Sequence, residues 1–269
     1  MLFCAVSAFT QDGRPVTSAW TVEGGTSHLA DTYLTPLHYD GWNVALAYER
    51  WQAMRFNPED WVMRLELAGQ LAKTHNRVDN ADMWDLDVTA SWSVIRRWPV
   101  AVAGQHLTLA AGPMAMLEGG CLYLSRNGNN PVSVKAACSV GVTGAAFWHT
   151  RLVRRPLTLR WQPSMPLVGV FFSPDYGELY YEIYLGNHSG LAHFAWPASR
   201  FQLENLVTAD WRIGATALRV GYRGQILTTC VNNITTRRFT HMFVLGISGE
   251  FLSITPGKTI SSRNISAYY

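Results

Sequence analysis

Hydrophobic and polar side chains alternate along most of the chain, one residue at a time. Between Trp84 and Val94 every second residue is apolar, and the residues between them are aspartate, threonine or serine. Since successive side chains of a β-strand point to opposite faces, this alternation predicts a strand with one apolar and one polar face. The same pattern recurs in five other segments, which begin at Trp61, Leu157, Phe201, Leu218 and Phe239.

Turn-forming residues separate these segments. Asn, Pro, Gly and Asp are concentrated at residues 57–58, 75–82, 127–131, 173–177 and 232–233, where they favour reversals of the chain. This spacing predicts about ten long strands in meander order, with room for about twelve. The predicted fold is therefore all-β, an antiparallel up-and-down barrel of about 10–12 strands.

The composition favours a barrel that faces lipid. The 269 residues are 48% hydrophobic and only 15% charged, so the polar faces carry little charge for surfaces in water. The longest uncharged stretch, Trp98 to Leu117, is broken by prolines, glycines and polar residues, which excludes it as a membrane-spanning helix. Tryptophans lie toward the strand ends, as in the aromatic girdles of outer-membrane barrels. We therefore expect a transmembrane barrel with its apolar face outward.

The first residues indicate export. Met1 to Ala8 form an apolar run that ends in small residues, as the end of a signal peptide does; an ordinary first strand is the alternative interpretation. An exported barrel is expected in the bacterial outer membrane. The predicted division of the chain is a signal-peptide remnant over 1–10, an N-terminal periplasmic segment over 11–40, the barrel over 41–254 and a C-terminal tail over 255–269.

Four separated strings resemble one protein family. They are residues 31–41 (DTYLTPLHYDG), 126–131 (RNGNNP), 171–177 (FFSPDYG) and 180–183 (YYEI). Together they are similar to a family of predicted outer-membrane β-barrel proteins of Bacteroidota, known only as a domain of unknown function. The resemblance implies the barrel fold and the outer-membrane location, and it implies no activity and no catalytic residue.

On this fold the polar faces line the barrel interior. Charges in a narrow interior must pair or be hydrated, because an unpaired buried ion is costly. The inward-facing charged residues are seven acidic and four basic side chains: Arg64, Glu66, Asp85, Asp87, Arg160, Glu182, Glu204, Asp210, Arg219, Arg223 and Glu250. Two interpretations follow, a salt-bridged core that fills a small barrel or a narrow pore that favours cations. The leading hypothesis is a non-enzymatic barrel with a structural, partner-binding or narrow-channel role.

A membrane-embedded lipid-modifying enzyme, either a hydrolase or an acyltransferase, is the first alternative. Its candidate residues are Ser189 with His188, or Ser173 with His193, since a serine nucleophile needs a histidine to activate its hydroxyl. Adjacent residues of a strand point to opposite faces, which disfavours His188 as the base for Ser189. The second alternative is a secreted, soluble β protein that binds an apolar ligand.

Few partners are implied. No cofactor and no metal is expected, because the oxygen-rich segment 75–82 lacks the spacing of a calcium-binding loop and the cysteines lack metal-ligand spacing. The Lys and Arg residues are scattered and the net charge is +3, which excludes nucleic acid as a partner. Outer-membrane lipid and lipopolysaccharide are the expected partners, and the sequence identifies no protein partner.

Overall fold

The structure is a computed structural model that describes residues 15–102, 104–128, 130–214 and 216–252. Within these residues, no helix combines the length and the hydropathy that a membrane crossing needs. The described chain consists of eleven strands and one short helix: β1 (Pro15–Asp31), β2 (Thr35–Ala53), β3 (Trp61–Asn76), β4 (Asp82–Val102), β5 (Gln105–Leu124), β6 (Val132–Leu152), β7 (Arg155–Phe172), α1 (Tyr180–Tyr184), β8 (Ala192–Ala195), β9 (Arg200–Ile213), β10 (Thr216–Val231) and β11 (Ile234–Leu252).

Ten of the strands form a closed antiparallel ring. Strands β1 to β7 pair in chain order, β7 pairs with β9, and β9 to β11 continue until β11 pairs with β1. Strand β8 adds a short ladder to the end of β7, from Gly169–Ala195 to Phe172–Ala192. The predicted antiparallel up-and-down barrel is therefore confirmed, with ten strands in the ring.

The two ends of the barrel carry different connections. The end that we call the loop end carries most of the longer ones, at residues 32–34, 77–81, 125–131, 173–191 and 232–233. The opposite end, the termini end, carries the first residue of β1, the last residue of β11, the connection 54–60 and three two-residue connections. In the connection between β6 and β7, Val153 and Arg154 both have positive φ, as a tight hairpin turn requires.

The barrel begins earlier in the chain than predicted. Residues 15–40 form β1 and the first part of β2, and β1 has a full ladder on both sides. The prediction of a periplasmic segment over 11–40 is therefore wrong for these residues. The alternation is obscured in β1 because inward Ala19 and Leu29 are apolar while outward Thr26 and His28 are polar. The predicted signal-peptide remnant and C-terminal tail lie outside the described residues.

The two faces of the wall differ in polarity. On β4, Asp85 and Asp87 point inward and are 1% and 4% exposed, whereas Leu86 and Val88 point outward and are 51% and 58% exposed. The faces predicted from the alternation in this strand are therefore correct. Large apolar side chains are exposed around the whole outer wall, among them Val22, Leu46, Leu67, Leu117, Val140, Val170, Val207, Leu218 and Leu245.

The outer wall also changes from one end to the other. Toward the termini end it carries tryptophans with arginines beside them, and the Arg96 guanidinium lies 5.7 Å from the centroid of the Trp98 ring. Toward the loop end, polar pairs interrupt the apolar surface, such as Lys73 Nζ and Asp82 Oδ2 at 3.0 Å. We call this outward-facing polar surface near the loop end the polar rim.

The ring has a short closure between β7 and β9. Their ladder runs only from Leu157–Trp211 to Ser164–Glu204, and nearer the loop end β8 takes the place of β9 beside β7. Pro163 and Pro166 lie where this ladder ends, and proline has no N–H to donate to a neighbouring strand. We call this short ladder between β7 and β9, which ends at Pro163–Pro166, the β7 seam.

Candidate functional site in the barrel lumen

Glu49 is the hub of an ion-pair network in the lumen. Its Oε1 accepts hydrogen bonds from Arg64 Nε and Arg160 Nη1, both at 2.7 Å, and its Oε2 accepts one from Arg219 Nη1 at 2.7 Å. Arg219 also donates two hydrogen bonds to Asp210, at 2.7 and 2.9 Å. A planar guanidinium favours such forked contacts with carboxylates. Four strands are thereby joined across the interior by one carboxylate and its partners.

Arg223 extends this network along the lumen. It donates to both oxygens of Glu23, to Glu204 at 2.7 Å and to Glu66 at 2.7 Å. Glu66 in turn accepts from Arg64 at 2.5 Å, which connects Arg223 to the Glu49 hub. We call the nine residues together the central network: Glu23, Glu49, Arg64, Glu66, Arg160, Glu204, Asp210, Arg219 and Arg223.

A second group of charges, the upper cluster, lies nearer the loop end. Arg238 faces Asp87 at 3.1 Å, Asp85 at 3.5 Å and Glu118 at 3.6 Å. Arg200 donates to Glu118 at 2.9 Å. The Arg238 distances are longer than those of the central network, so its carboxylates are held less tightly.

Two apolar layers lie in the lumen on either side of these charges. The layer at the loop end consists of Leu29, Leu34, Tyr39, Met83, Leu122 and Leu124. The layer at the termini end consists of Trp51, Val62, Ile95, Ala110, Ala145 and Phe147, with the Trp51 and Phe147 rings in edge contact at 5.7 Å. Side chains therefore fill the interior, as is expected of a barrel this narrow.

The space that remains among the charges is small. A cavity of about 40 Å³ lies beside Arg64, Glu66, Glu204 and Arg223, which is room for a few water molecules. Hydration of this kind supports buried ions but does not form a path for a solute. The arrangement is chemically suited to crosslinking the strands.

The structure places nine of the eleven predicted lumen residues in these two groups of charges, Glu250 on the inward face at the termini end, and Glu182 outside the ring. Glu250 pairs with Arg212 near the termini end, where both side chains are about one-third exposed. Glu182 lies outside the ring on α1 and is exposed, so its prediction as a lumen residue is wrong. Residues 180–184 form a helical turn in which Glu182 Oε2 accepts from the N–H of Leu179 at 3.0 Å.

Several charges of the lumen were missed by sequence reasoning. Glu23 and Glu49 lie on β1 and β2, where small inward residues such as Ala45 and Ala47 conceal the polar face. Glu118 lies on β5 beside the inward apolar residues Met114 and Met116. Arg200 and Arg238 were also missed. In each case the signal for a lumen position was a single charged residue among alanines, methionines or residues at a strand end.

The predicted serine–histidine pairs do not form a nucleophile and base. His193 Nε2 lies 2.9 Å from the carbonyl oxygen of Ser173, and the Ser173 hydroxyl donates to the carbonyl of Pro174 at 3.3 Å. Among the described residues no hydrogen bond joins the Ser173 hydroxyl to the His193 ring, so the histidine is not placed as a base for this hydroxyl. His188 and Ser189 are exposed in the connection 173–191. The contacts at Ser173 thus stabilise the loop end.

Connection 173–191 is tied to other connections of the loop end. The Tyr33 hydroxyl donates to the carbonyl of Glu178 at 2.7 Å and receives a hydrogen bond from Asn130. The Tyr180 hydroxyl accepts from the N–H of Val134 at 2.7 Å. Partial burial raises the pKa of the Tyr33 and Tyr180 phenols. Both phenols are therefore neutral at physiological pH and hold the connections together.

Several solved structures of outer-membrane proteins have low similarity to this chain. The transport unit of the autotransporter AIDA-I from Escherichia coli has 9% identity and a TM-score of 0.44, over 87% of this chain and 90% of that one. The outer membrane protease OmpT from Escherichia coli has 8% identity and a TM-score of 0.43, over 90% and 98% of the two chains. An outer membrane channel from Pseudomonas putida F1 has 10% identity and a TM-score of 0.33, over 89% and 96%. Likeness at this level assigns none of their activities to this chain.

A search of curated protein sequences finds no match. A family model does match, and it spans residues 2–258, nearly the whole chain. The match agrees with the resemblance seen in the four strings of the sequence. The chain belongs to the family described as protein of unknown function DUF3316.

Proposed function

We propose that this chain is a bacterial outer-membrane β-barrel with a sealed lumen, and that its role is non-enzymatic, structural or partner-binding. The observation that carries the proposal is the central network held between two apolar layers, inside a wall whose outer face is apolar. A solute-conducting role needs a continuous aqueous path, and this interior is occupied by paired side chains.

The exposed apolar wall supports the membrane location. Contiguous apolar surface of this extent is unusual for a protein in water, and the strands close into a ring, the arrangement by which a β structure pairs its backbone groups in hydrocarbon. The 16 residues of β3 span roughly 53 Å at about 3.3 Å per residue. With a tilt of about 40° the height is roughly 40 Å, more than the roughly 25 Å apolar band of such barrels.

The excess height belongs to the loop end, where the outer wall becomes the polar rim. In bacterial barrels the termini and short turns are periplasmic and the longer loops are extracellular. By this rule the termini end faces the periplasm and the polar rim projects from the outer leaflet. The outer wall would then contact outer-membrane lipid and lipopolysaccharide. Tyr176, Tyr181 and Tyr184 are exposed at the loop end, a surface suited to a protein partner.

Electrical recording in planar bilayers tests the sealed lumen. We expect the inserted protein to produce no discrete conductance steps, while a porin in the same bilayers provides the positive control. Insertion is verified independently by flotation with proteoliposomes. Discrete steps from the inserted wild-type protein would contradict the sealed barrel, and recovery of the protein in a soluble fraction without detergent would instead support a secreted, soluble protein.

A further inference from the structure

We propose that a cleft on the outer wall binds the sugar headgroup of a glycolipid from the outer leaflet. The cleft lies across β9, β10, β11 and β1 near the polar rim and has a volume of about 410 Å³, within the range of small-molecule sites. This inference rests on the proposed membrane location. It goes beyond the proposed function because it assigns one lipid class to one set of side chains.

Two polar pairs meet at this cleft. His28 Nδ1 lies 2.5 Å from Asp40 Oδ1, and His241 Nδ1 lies 2.5 Å from the Tyr222 hydroxyl. Thr26 on β1 is directly opposite His241 on β11, so the two pairs follow one line across four adjacent strands. Ionisable side chains on a wall that faces lipid are unfavourable without a function or a polar contact.

The histidines are oriented with one ring nitrogen available. In both rings the contact is made by Nδ1, and among the described residues neither Nε2 atom of His28 or His241 has a protein partner. A nearby carboxylate or phenol that engages one ring nitrogen fixes the orientation of the other. Asn205 adds an amide, since its Oδ1 accepts from Trp161 Nε1 at 3.3 Å and its N–H groups can still donate.

Gly224 makes room for this arrangement. It is opposite His241 in the ladder, and a Cβ at this position would lie 2.9 Å from the Tyr222 hydroxyl. The Tyr222 ring therefore crosses over a residue without a side chain to reach His241. The contact is made possible by the local sequence, and the ring forms one wall of the cleft.

The chemistry of the lining favours a neutral, hydroxyl-rich group. Among the described residues that line the cleft there is no lysine or arginine, and the Asp40 carboxylate at its border opposes an anion. Imidazole, phenol and amide groups offer donors and acceptors together, which suits sugar hydroxyls. Ile226 and Phe239 complete the lining and provide apolar surface for the ring face or an acyl chain.

The position of the cleft along the barrel axis indicates that the sugar belongs to a lipid. His28 and Asp40 are 51% and 66% exposed on the outer wall, at the border between the polar rim and the apolar surface that carries Phe243. This border is the level of lipid headgroups in a barrel of this orientation. A lipid-linked sugar therefore reaches the cleft with its chains in the apolar band.

Native mass spectrometry of the full chain released from nanodiscs tests the proposal. The discs contain phosphatidylethanolamine with equal mole fractions of a monohexosyl diacylglycerol and phosphatidylglycerol. We expect the monohexosyl lipid to be retained in preference to phosphatidylglycerol, and Tyr222→Phe and His241→Phe each to reduce its retention by about fivefold, the effect of one lost hydrogen bond. Lys73→Met, which removes a polar-rim charge outside the cleft, should leave retention unchanged.

Three outcomes would overturn the proposal. Preferred retention of phosphatidylglycerol would identify a phosphate site, equal retention of both lipids would show no selective site, and unchanged retention in His241→Phe would place the lipid elsewhere. Folding of each variant is verified by its heat-modifiable gel mobility, and Tyr222→Phe keeps the ring if His241→Phe fails to fold. Failure of the wild-type protein to enter nanodiscs would instead contradict the proposed membrane location.

Discussion

Replacement of Glu49 by glutamine tests the structural role of the central network. The carboxylate accepts hydrogen bonds from Arg64, Arg160 and Arg219, each at 2.7 Å, and its side chain is 6% exposed. Glu49→Gln keeps the shape of the side chain and removes its negative charge. Arg64 retains Glu66 and Arg219 retains Asp210, so the perturbation is centred on the hub.

The expected loss of folding stability is large for the replacement of one carboxylate oxygen by an amide nitrogen. A hydrogen bond to a charged group contributes about 1.5–3 kcal/mol, and removal of one partner from a buried ion pair costs about 3–5 kcal/mol. The three contacts of Glu49 are not additive because they share one carboxylate. We therefore expect Glu49→Gln to lower the free energy of unfolding by about 4 kcal/mol, or about a thousandfold in the folding equilibrium.

Urea unfolding of the barrel in lipid vesicles, followed by tryptophan fluorescence, measures this change. Glu250→Gln is the matched control, because Glu250 pairs with Arg212 where the two side chains are 32% and 30% exposed. Such partly hydrated pairs contribute about 0–1 kcal/mol. If Glu49→Gln and Glu250→Gln destabilise the barrel equally, by less than about 1 kcal/mol, the network does not hold the strands together and our reasoning is refuted.

Three further predictions concern other parts of the barrel. Gly25→Ala should abolish heat-modifiable folding, because the added Cβ would lie 1.8 Å from a carbonyl oxygen of the next strand, whereas Gly69→Ala meets nothing within 4 Å and should fold normally. The raised pKa of Tyr33 means that its contribution to stability is complete below its usual value near pH 10 and declines above it; proteolysis of residues 173–191 should therefore be faster at pH 11 than at pH 8, and equal rates would contradict this. Ser173→Ala should leave lipid release from vesicles at background, and a wild-type activity lost in this variant would restore the enzyme hypothesis.

The sequence predicts the orientation of a strand where its two faces differ in polarity. On β4 the inward aspartates and serines alternate with outward leucine, valine and tryptophan, so the period of two is legible and the faces follow from it. On β2 the inward Ala45 and Ala47 alternate with the outward Val44 and Leu46. All four are apolar, and the sequence pattern does not separate lumen from exterior there.

The lumen charges illustrate the same limit. Arg64, Glu66 and Arg223 were predicted because they lie in segments with clear alternation. Glu23, a partner of Arg223, lies in a segment without clear alternation and was missed. Pairing across the ring joins residues up to 200 positions apart, as Glu23 and Arg223 are. Such a partner depends on the diameter and stagger of the closed barrel, which a local pattern does not contain. The cleft at His241 was missed for the same reason, since its polar groups come from separate strands.

The β7 seam is the position at which the ring of strands is expected to separate first. A ladder resists shear through the hydrogen bonds that share the load, and the join from Leu157 to Ser164 is much shorter than the other joins of the ring. Under tension or in denaturant, rupture should therefore begin along this border. Arg160 on β7 and Glu204 on β9 lie on the two sides of this border. Water that enters where the strands separate would therefore first hydrate the ion pairs that join the strands across the lumen.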